Sequence, residues 1–190
     1  MSTGQTLLVI GAFVVLSTLT LNVNASLVLT SSTGLEMEAT LDAISIAQTL
    51  LDEILTKEFD RATTDGKRIY GPSELTIPGG LGTDGPSETI VGLAGIDTSS
   101  RAAFESQSKF DDVDDYAGYK RHAWNPQLGW FEASVSVSYV DEDGPDVEVS
   151  SRTFCKRITI QISHPNLVKD LGNNMIPLVV RDLAIYRRYF

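Results

Sequence analysis

Apolar and polar positions follow three patterns along this chain. Residues 1–35 contain no Asp, Glu, Lys or Arg. Leu7, Leu8, Val9, Ile10, Phe13, Val14 and Leu16 make the front almost wholly apolar, and residues 17–33 alternate apolar side chains with Ser, Thr and Asn. From Glu36 onward charges appear, and Leu41, Ile44, Ala47, Gln48, Leu51, Ile54, Leu55 and Phe59 recur at helical spacing, with Asp42, Asp52, Glu53, Lys57 and Glu58 between them. The first proline is Pro72, so no imino acid interrupts a helix predicted over about residues 5–62. Such a rod would be roughly 85 Å long at 1.5 Å per residue. No small domain can bury it, so its front belongs in lipid or in a bundle of like helices.

The second pattern, over residues 63–100, is turn chemistry: Asp65-Gly66, Gly71-Pro72, Pro78-Gly79-Gly80, Gly82, Asp84-Gly85-Pro86 and Gly92, with room for short strands at 75–77 and 89–91. An acidic loop framed by aromatics follows, Phe110-Asp111-Asp112-Val113-Asp114-Asp115-Tyr116-Ala117-Gly118-Tyr119.

The third pattern is period two. Phe131, Ala133, Val135, Val137 and Tyr139 share one parity, and Glu132, Ser134, Ser136 and Ser138 take the other, which predicts a half-buried strand. Residues 141–145 turn the chain, Val147-Glu148-Val149 adds a short piece, and residues 154–162 form the next strand with Ile158, Ile160 and Ile162 facing in. Parity puts Cys155 on the polar face unless a bulge near 152–154 shifts it. His164-Pro165-Asn166 breaks that strand, and a last one is predicted over about 176–189. The sum is an α+β fold, a long N-terminal helix packed on a C-terminal antiparallel β-sheet. Residues 1–35 are the apolar half of the helix and 36–190 are the head.

Charge narrows the function. The net charge is −10, all of it downstream of Leu35, which argues against nucleic acid as a partner. The single Cys155 allows no intrachain disulfide and reads either as a small apolar filler or as an intermolecular bridge. His122 and His164 are far apart and read as surface or turn residues. No nucleophile elbow, no phosphate-binding Gly-Lys-Ser/Thr and no His beside a Ser or Cys occurs, which points away from an enzyme. No cofactor motif occurs either. Asp111, Asp112, Asp114 and Asp115 form the one constellation with chemistry, and calcium, a hard cation with several oxygen ligands, is the ion they would suit. The spacing departs from the EF-hand pattern. The other reading is a solvated turn whose carboxylates cap backbone N–H groups while Phe110 and Tyr116 pack it to the sheet. Arg187-Arg188 reads as a solvated strand end, or as a partner for a neighbour's acidic loop.

The entry through Gly4-Gln5-Thr6-Leu7-Leu8, the glycine-rich connection and the C-terminal sheet resemble type IV pilins and pseudopilins. In the head, the 110–119 motif, the strand ending Ser138-Tyr139-Val140-Asp141, then Lys156-Arg157-Ile158-Thr159-Ile160 and the closing Tyr186-Arg187-Arg188-Tyr189 are similar to D-type minor pilins of mannose-sensitive haemagglutinin pili, over most of the chain. This resemblance implies cleavage by a prepilin peptidase after Gly4 and N-methylation of Gln5. It implies residence in the inner membrane, then extraction by inner-membrane machinery into an extracellular filament at the cell surface. The filament's partners would be further copies and other pilins, its core the helices bearing Leu7, Leu8, Val9, Ile10, Phe13, Val14 and Leu16. Two departures stand out. No Lys or Arg adjoins Gly4, and Val9 stands where the family carries a glutamate that pairs with a neighbour's N-terminal amine. That replacement occurs in some tip pseudopilins. Three roles therefore stay open: a structural filament subunit, a low-copy minor or tip pilin with a priming or adhesive role, or a single-pass anchored periplasmic binding domain that does not polymerise.

Overall fold

A computed structural model describes residues 2–90, 95–98 and 103–187. The chain divides into two compact units, residues 1–38 and 39–190. Helix α1, Thr3–Leu55, supplies all regular structure of the first unit and the opening of the second.

In the first unit every described residue up to Met37 is exposed. Many of its hydroxyls are nevertheless occupied. Ser17 donates to Phe13 O at 2.8 Å, Thr20 to Leu16 O at 2.8 Å, Thr30 to Ser26 O at 2.9 Å and Thr33 to Leu29 O at 3.0 Å. A hydroxyl bonded back onto its own helix needs no water, so these polar positions tolerate an apolar medium. The helix is long and apolar enough to cross a membrane.

In the second unit the buried stripe of α1 is Ala39, Ala43, Ala47, Leu50 and Ile54. This corrects the expected stripe. Ala47 and Ile54 belong to it, but Leu41 and Leu55 are exposed and Gln48 lies on the solvent side. Small alanines one turn apart let the helix approach the sheet closely, which turns the bulkier leucines outward. The helix also stops at Leu55 rather than near 62. Asp60 is extended at φ −163°, accepts from Ala62 N and forms a capping box with Thr63 that starts a 3-10 turn, Arg61–Gly66. No Gly or Pro ends α1; past Leu55 the backbone pairs elsewhere, with Glu58 N donating to Asp111 O at 3.2 Å and Val113 N to Glu58 O at 2.9 Å.

The loops hold no strand at 75–77. 3-10 turns Pro72–Glu74 and Pro78–Gly80 flank that segment, and Leu75 is buried as a plug. Thr89 and Ile90 are likewise outside any strand, and Val91 lies outside the described residues.

The sheet has order β1-β2-β3-β4-β5, with β1 Ile96–Thr98, β2 Lys120–Asn125, β3 Gly129–Tyr139, β4 Cys155–Ser163 and β5 Leu178–Ile185. β2 to β5 form the antiparallel meander, but β1 pairs parallel to β2, so the sheet is mixed. A short helix α2, Ser106–Lys109, and the acidic turn lie between β1 and β2 and carry the chain back, which a parallel pairing requires. The piece expected at 147–149 is a single bridge, Val140 with Glu148. Arg188 and Tyr189 lie outside the described residues.

Inward on the sheet are Phe131, Ala133, Val135, Val137, Tyr139, Ile158, Ile160 and Ile162, in one core with the helix stripe. The same parity sends Lys156 inward, fully buried, and Arg121 joins it from β2. Cys155 takes the opposite face, yet it is buried there beside Val140 and apart from the main core. The 141–154 excursion returns to this corner, with Thr153 Oγ1 donating to Val140 O at 2.8 Å. His164 is also buried, not a surface residue. It stacks on Phe131 with centroids 4.1 Å apart, and Asn166 N donates to its Nδ1 at 3.1 Å, leaving Nε2 to donate to Leu128 O at 3.0 Å.

Candidate functional site

At the N-terminal end, Gly4 and Gln5 lie in the first turn of α1, both exposed. Leu7, Leu8, Ile10, Phe13, Val14 and Leu16 are all more than half exposed, and Val9 is 44 % exposed. Nothing within the unit of residues 1–38 covers these side chains.

The head is built the opposite way, with charges buried and partnered. Glu53, near the C-terminal end of α1, takes Arg121 Nη2 at 2.6 and 2.8 Å, Ser106 Oγ at 2.6 Å and Tyr116 OH at 2.8 Å. Arg121 Nε donates to Tyr119 OH at 2.9 Å, Tyr119 OH donates to Asp97 Oδ2 at 2.9 Å, and the guanidinium lies 3.8 Å from the Phe104 ring centroid. Burial pushes the Glu53 carboxyl up, but Arg121, Ser106 and Tyr116 outweigh it and hold it below the usual carboxylate range. Burial, reinforced by the Glu53 charge, holds the Tyr116 hydroxyl protonated throughout the ordinary range.

A second network centres on Lys156. Its Nζ donates to Asp114 Oδ1 at 2.6 Å, Phe59 O at 2.8 Å and Asp60 Oδ2 at 2.9 Å. Phe59 and Tyr139 rings flank the ammonium at 4.5 and 5.3 Å. Asp60 also accepts from Ala62 N, Thr76 N, Thr76 Oγ1 and Tyr139 OH. Burial raises the Asp60 carboxyl, and Lys156 with these donors brings it below its ordinary value.

The acidic loop is drawn inward rather than solvated. Asp112, Asp114 and Asp115 are buried, and Asp111 is exposed. Asx-type bonds hold the turn: Asp112 Oδ1 accepts from Asp114 N at 2.8 Å, and Asp115 Oδ2 accepts from Asp111 N at 3.0 Å. Asp114 turns to Lys156, while Asp111, Asp112 and Asp115 converge within 4.8 Å of one another, as do Asp84, Glu88 and Asp115. Two carboxylate triads that share Asp115 could each hold a cation, Asp84 with Glu88 and Asp111 with Asp112, and Asp114 belongs to neither. Burial and then the Asp114 charge push Asp112 far above the carboxylate range, and burial chiefly raises Asp115 to about 7. Two turn N–H donors, at Asp84 and Gly85, already bind Glu88 Oε2 at 2.8 and 2.5 Å.

Sequence patterning missed Glu53, Asp60, Arg121, Lys156, Asp84 and Glu88. Only Lys156 carried a signal, its parity with Ile158, Ile160 and Ile162. No family model, no curated protein and no solved structure matches this chain.

Proposed function

We propose that this chain is a structural subunit of an extracellular type IV pilus-like filament or pseudopilus, with no catalytic role of its own. One observation carries the reading: a charge-free helical segment, exposed along its whole described length, continues into a head whose own core is complete. Burying a Leu, Ile, Phe or Val side chain is worth about 1.5–3 kcal/mol, so so many exposed apolar residues need a host outside the chain. The inner membrane is that host before assembly, and neighbouring copies and other pilins are the host afterwards. Small and hydroxyl side chains suit close helix packing. Repetition of one heterologous contact gives a fibre. Processing between Gly4 and Gln5 by the assembly machinery belongs to the same reading.

A second reading, a low-copy tip or minor subunit, draws on Val9, which offers no charge to a neighbour's amine, and on the exposed Trp124–Trp130 pair, centroids 5.0 Å apart, as a surface for contact. Quantitative mass spectrometry of sheared surface filaments separates the two. A major structural subunit dominates the filament mass, a tip subunit is present in trace amounts, and recovery only in membranes supports the anchored, non-polymerising domain instead.

A further inference from the structure

Lys156 is the one fully buried primary amine among the described residues, and its Nζ sits between two carboxylates that are not equivalent. Asp60 is held by four donors besides the lysine, from Ala62, Thr76 and Tyr139, so it rests as a carboxylate fixed beside Nζ and can take a proton from it only transiently. Asp114 makes its shortest contact, 2.6 Å, to Lys156, and its other side-chain partner is the Asp112 carboxyl, held protonated above the carboxylate range. The pocket is dry: Lys156 and Asp60 are 0 % exposed and Asp114 is 1 % exposed, with Phe59 and Tyr139 on its flanks. An amine and a carboxyl fixed in contact in such a place react as if each were present at very high concentration, and expelling the water produced favours the amide.

We propose that Lys156 and Asp114 form an intramolecular isopeptide bond, with Asp60 as the proton carrier. The ammonium passes one proton across the short hydrogen bond to Asp114 Oδ1, leaving a neutral amine beside a neutral carboxylic acid. Nζ then adds to Cγ of Asp114. Asp60 takes a second proton from the nitrogen and returns it to the departing hydroxyl. The Cγ–O bond breaks, one water leaves, and the Nζ–Cγ amide remains. One positive and one negative charge disappear together, and Asp60 ends as the carboxylate it began as. No oxidant, metal or nucleotide enters the balance.

The other buried cation provides an internal control. Arg121 meets Glu53 with similar geometry, but a guanidinium holds its proton and is no nucleophile, so that pair stays ionic. The bond would staple β4 to the turn Asp114–Tyr116 across 42 residues of sequence, directly behind the end of α1.

Peptide mapping of the purified full-length chain decides the matter. Digestion should yield a branched species joining the peptide with Lys156 to the peptide with Asp114, lighter than their sum by one water, and no tryptic cleavage after Lys156. Asp114→Asn should give the same branched mass by losing ammonia instead. Lys156→Arg, which keeps the charge, should give only linear peptides. Linear peptides of full mass in the natural chain, with cleavage after Lys156, overturn the proposal. A branch to Asp60 instead of Asp114 overturns the assignment of electrophile and carrier.

Discussion

One helix serves two different solvents in this protein. Up to Leu35 its described side chains are exposed and uncharged, and several of its hydroxyls are bonded to its own carbonyls. From Ala39 its inward stripe is buried, and its Glu53 anchors an ion pair that is 2 % and 7 % exposed at the two side chains. The first segment has turned many of its hydroxyls onto its own backbone and buried none of its apolar surface. The second buries an apolar core and pairs its buried Arg121 and Lys156 with carboxylates. A self-satisfied head can travel through water, whereas the front segment always needs an apolar host. That division of labour suits the filament subunit proposed above.

The largest effect should come from removing the front. A chain of residues 36–190 should leave the membrane fraction, stay monomeric in solution and melt cooperatively, as followed by fractionation and circular dichroism. Persistent membrane association of that fragment would place the apolar demand in the head and erase the division. Within the head, Arg121→Met should destabilise by about 3–5 kcal/mol, because Glu53 is left charged and buried. Chemical denaturation measures this, and a loss under about 1 kcal/mol would mean the network is ornamental to the fold. In the front, Val14→Asp should weaken insertion by about 2.5–3.5 kcal/mol while leaving the head's melting unchanged. A melting change there would mean the two segments are not independent.

The smallest effect concerns pH. Asp115 is raised from its ordinary 3.8 to about 7, and Asp111 and Asp112 are also raised. Groups raised on folding favour the folded state when protonated, so their contribution is full below about pH 4 and is lost as pH rises through about 7. Glu53 and Asp60 are lowered and act in the reverse sense, losing their contribution only as pH falls below the ordinary carboxylate range. The head without divalent cations should therefore melt a few degrees higher at pH 5.5 than at pH 8. Calcium, if bound by either triad that shares Asp115, should raise the pH 8 value and flatten the slope. Melting at pH 8 that is the same in calcium and in chelator retires the cation and leaves a protonated cluster.

How much of this was legible beforehand depends on the period of each segment. The strands at 131–139 and 154–162 are readable because alternation is strict there, and the inward parity of Ile158, Ile160 and Ile162 is the only sign of Lys156, which the apolar pattern passes over because it is charged. The register of the helix was not. Its inner residues are alanines, whose small size carries little pattern, and Leu41 and Leu55 mislead by facing out. β2 was hidden because Arg121 occupies a core position, which is stable only with Glu53, Ser106 and Tyr119 around it, partners distant in sequence. The acidic loop announced its composition but not its burial. Asp84 and Glu88 come from a glycine-rich loop with no local sign of the site they join.

The most direct test is the N-terminal peptide of this chain in sheared cell-surface material, read by mass spectrometry. The account predicts abundant chain beginning at Gln5 with a methylated amine. Absence from the sheared fraction, with the whole chain retained in membranes, would contradict it.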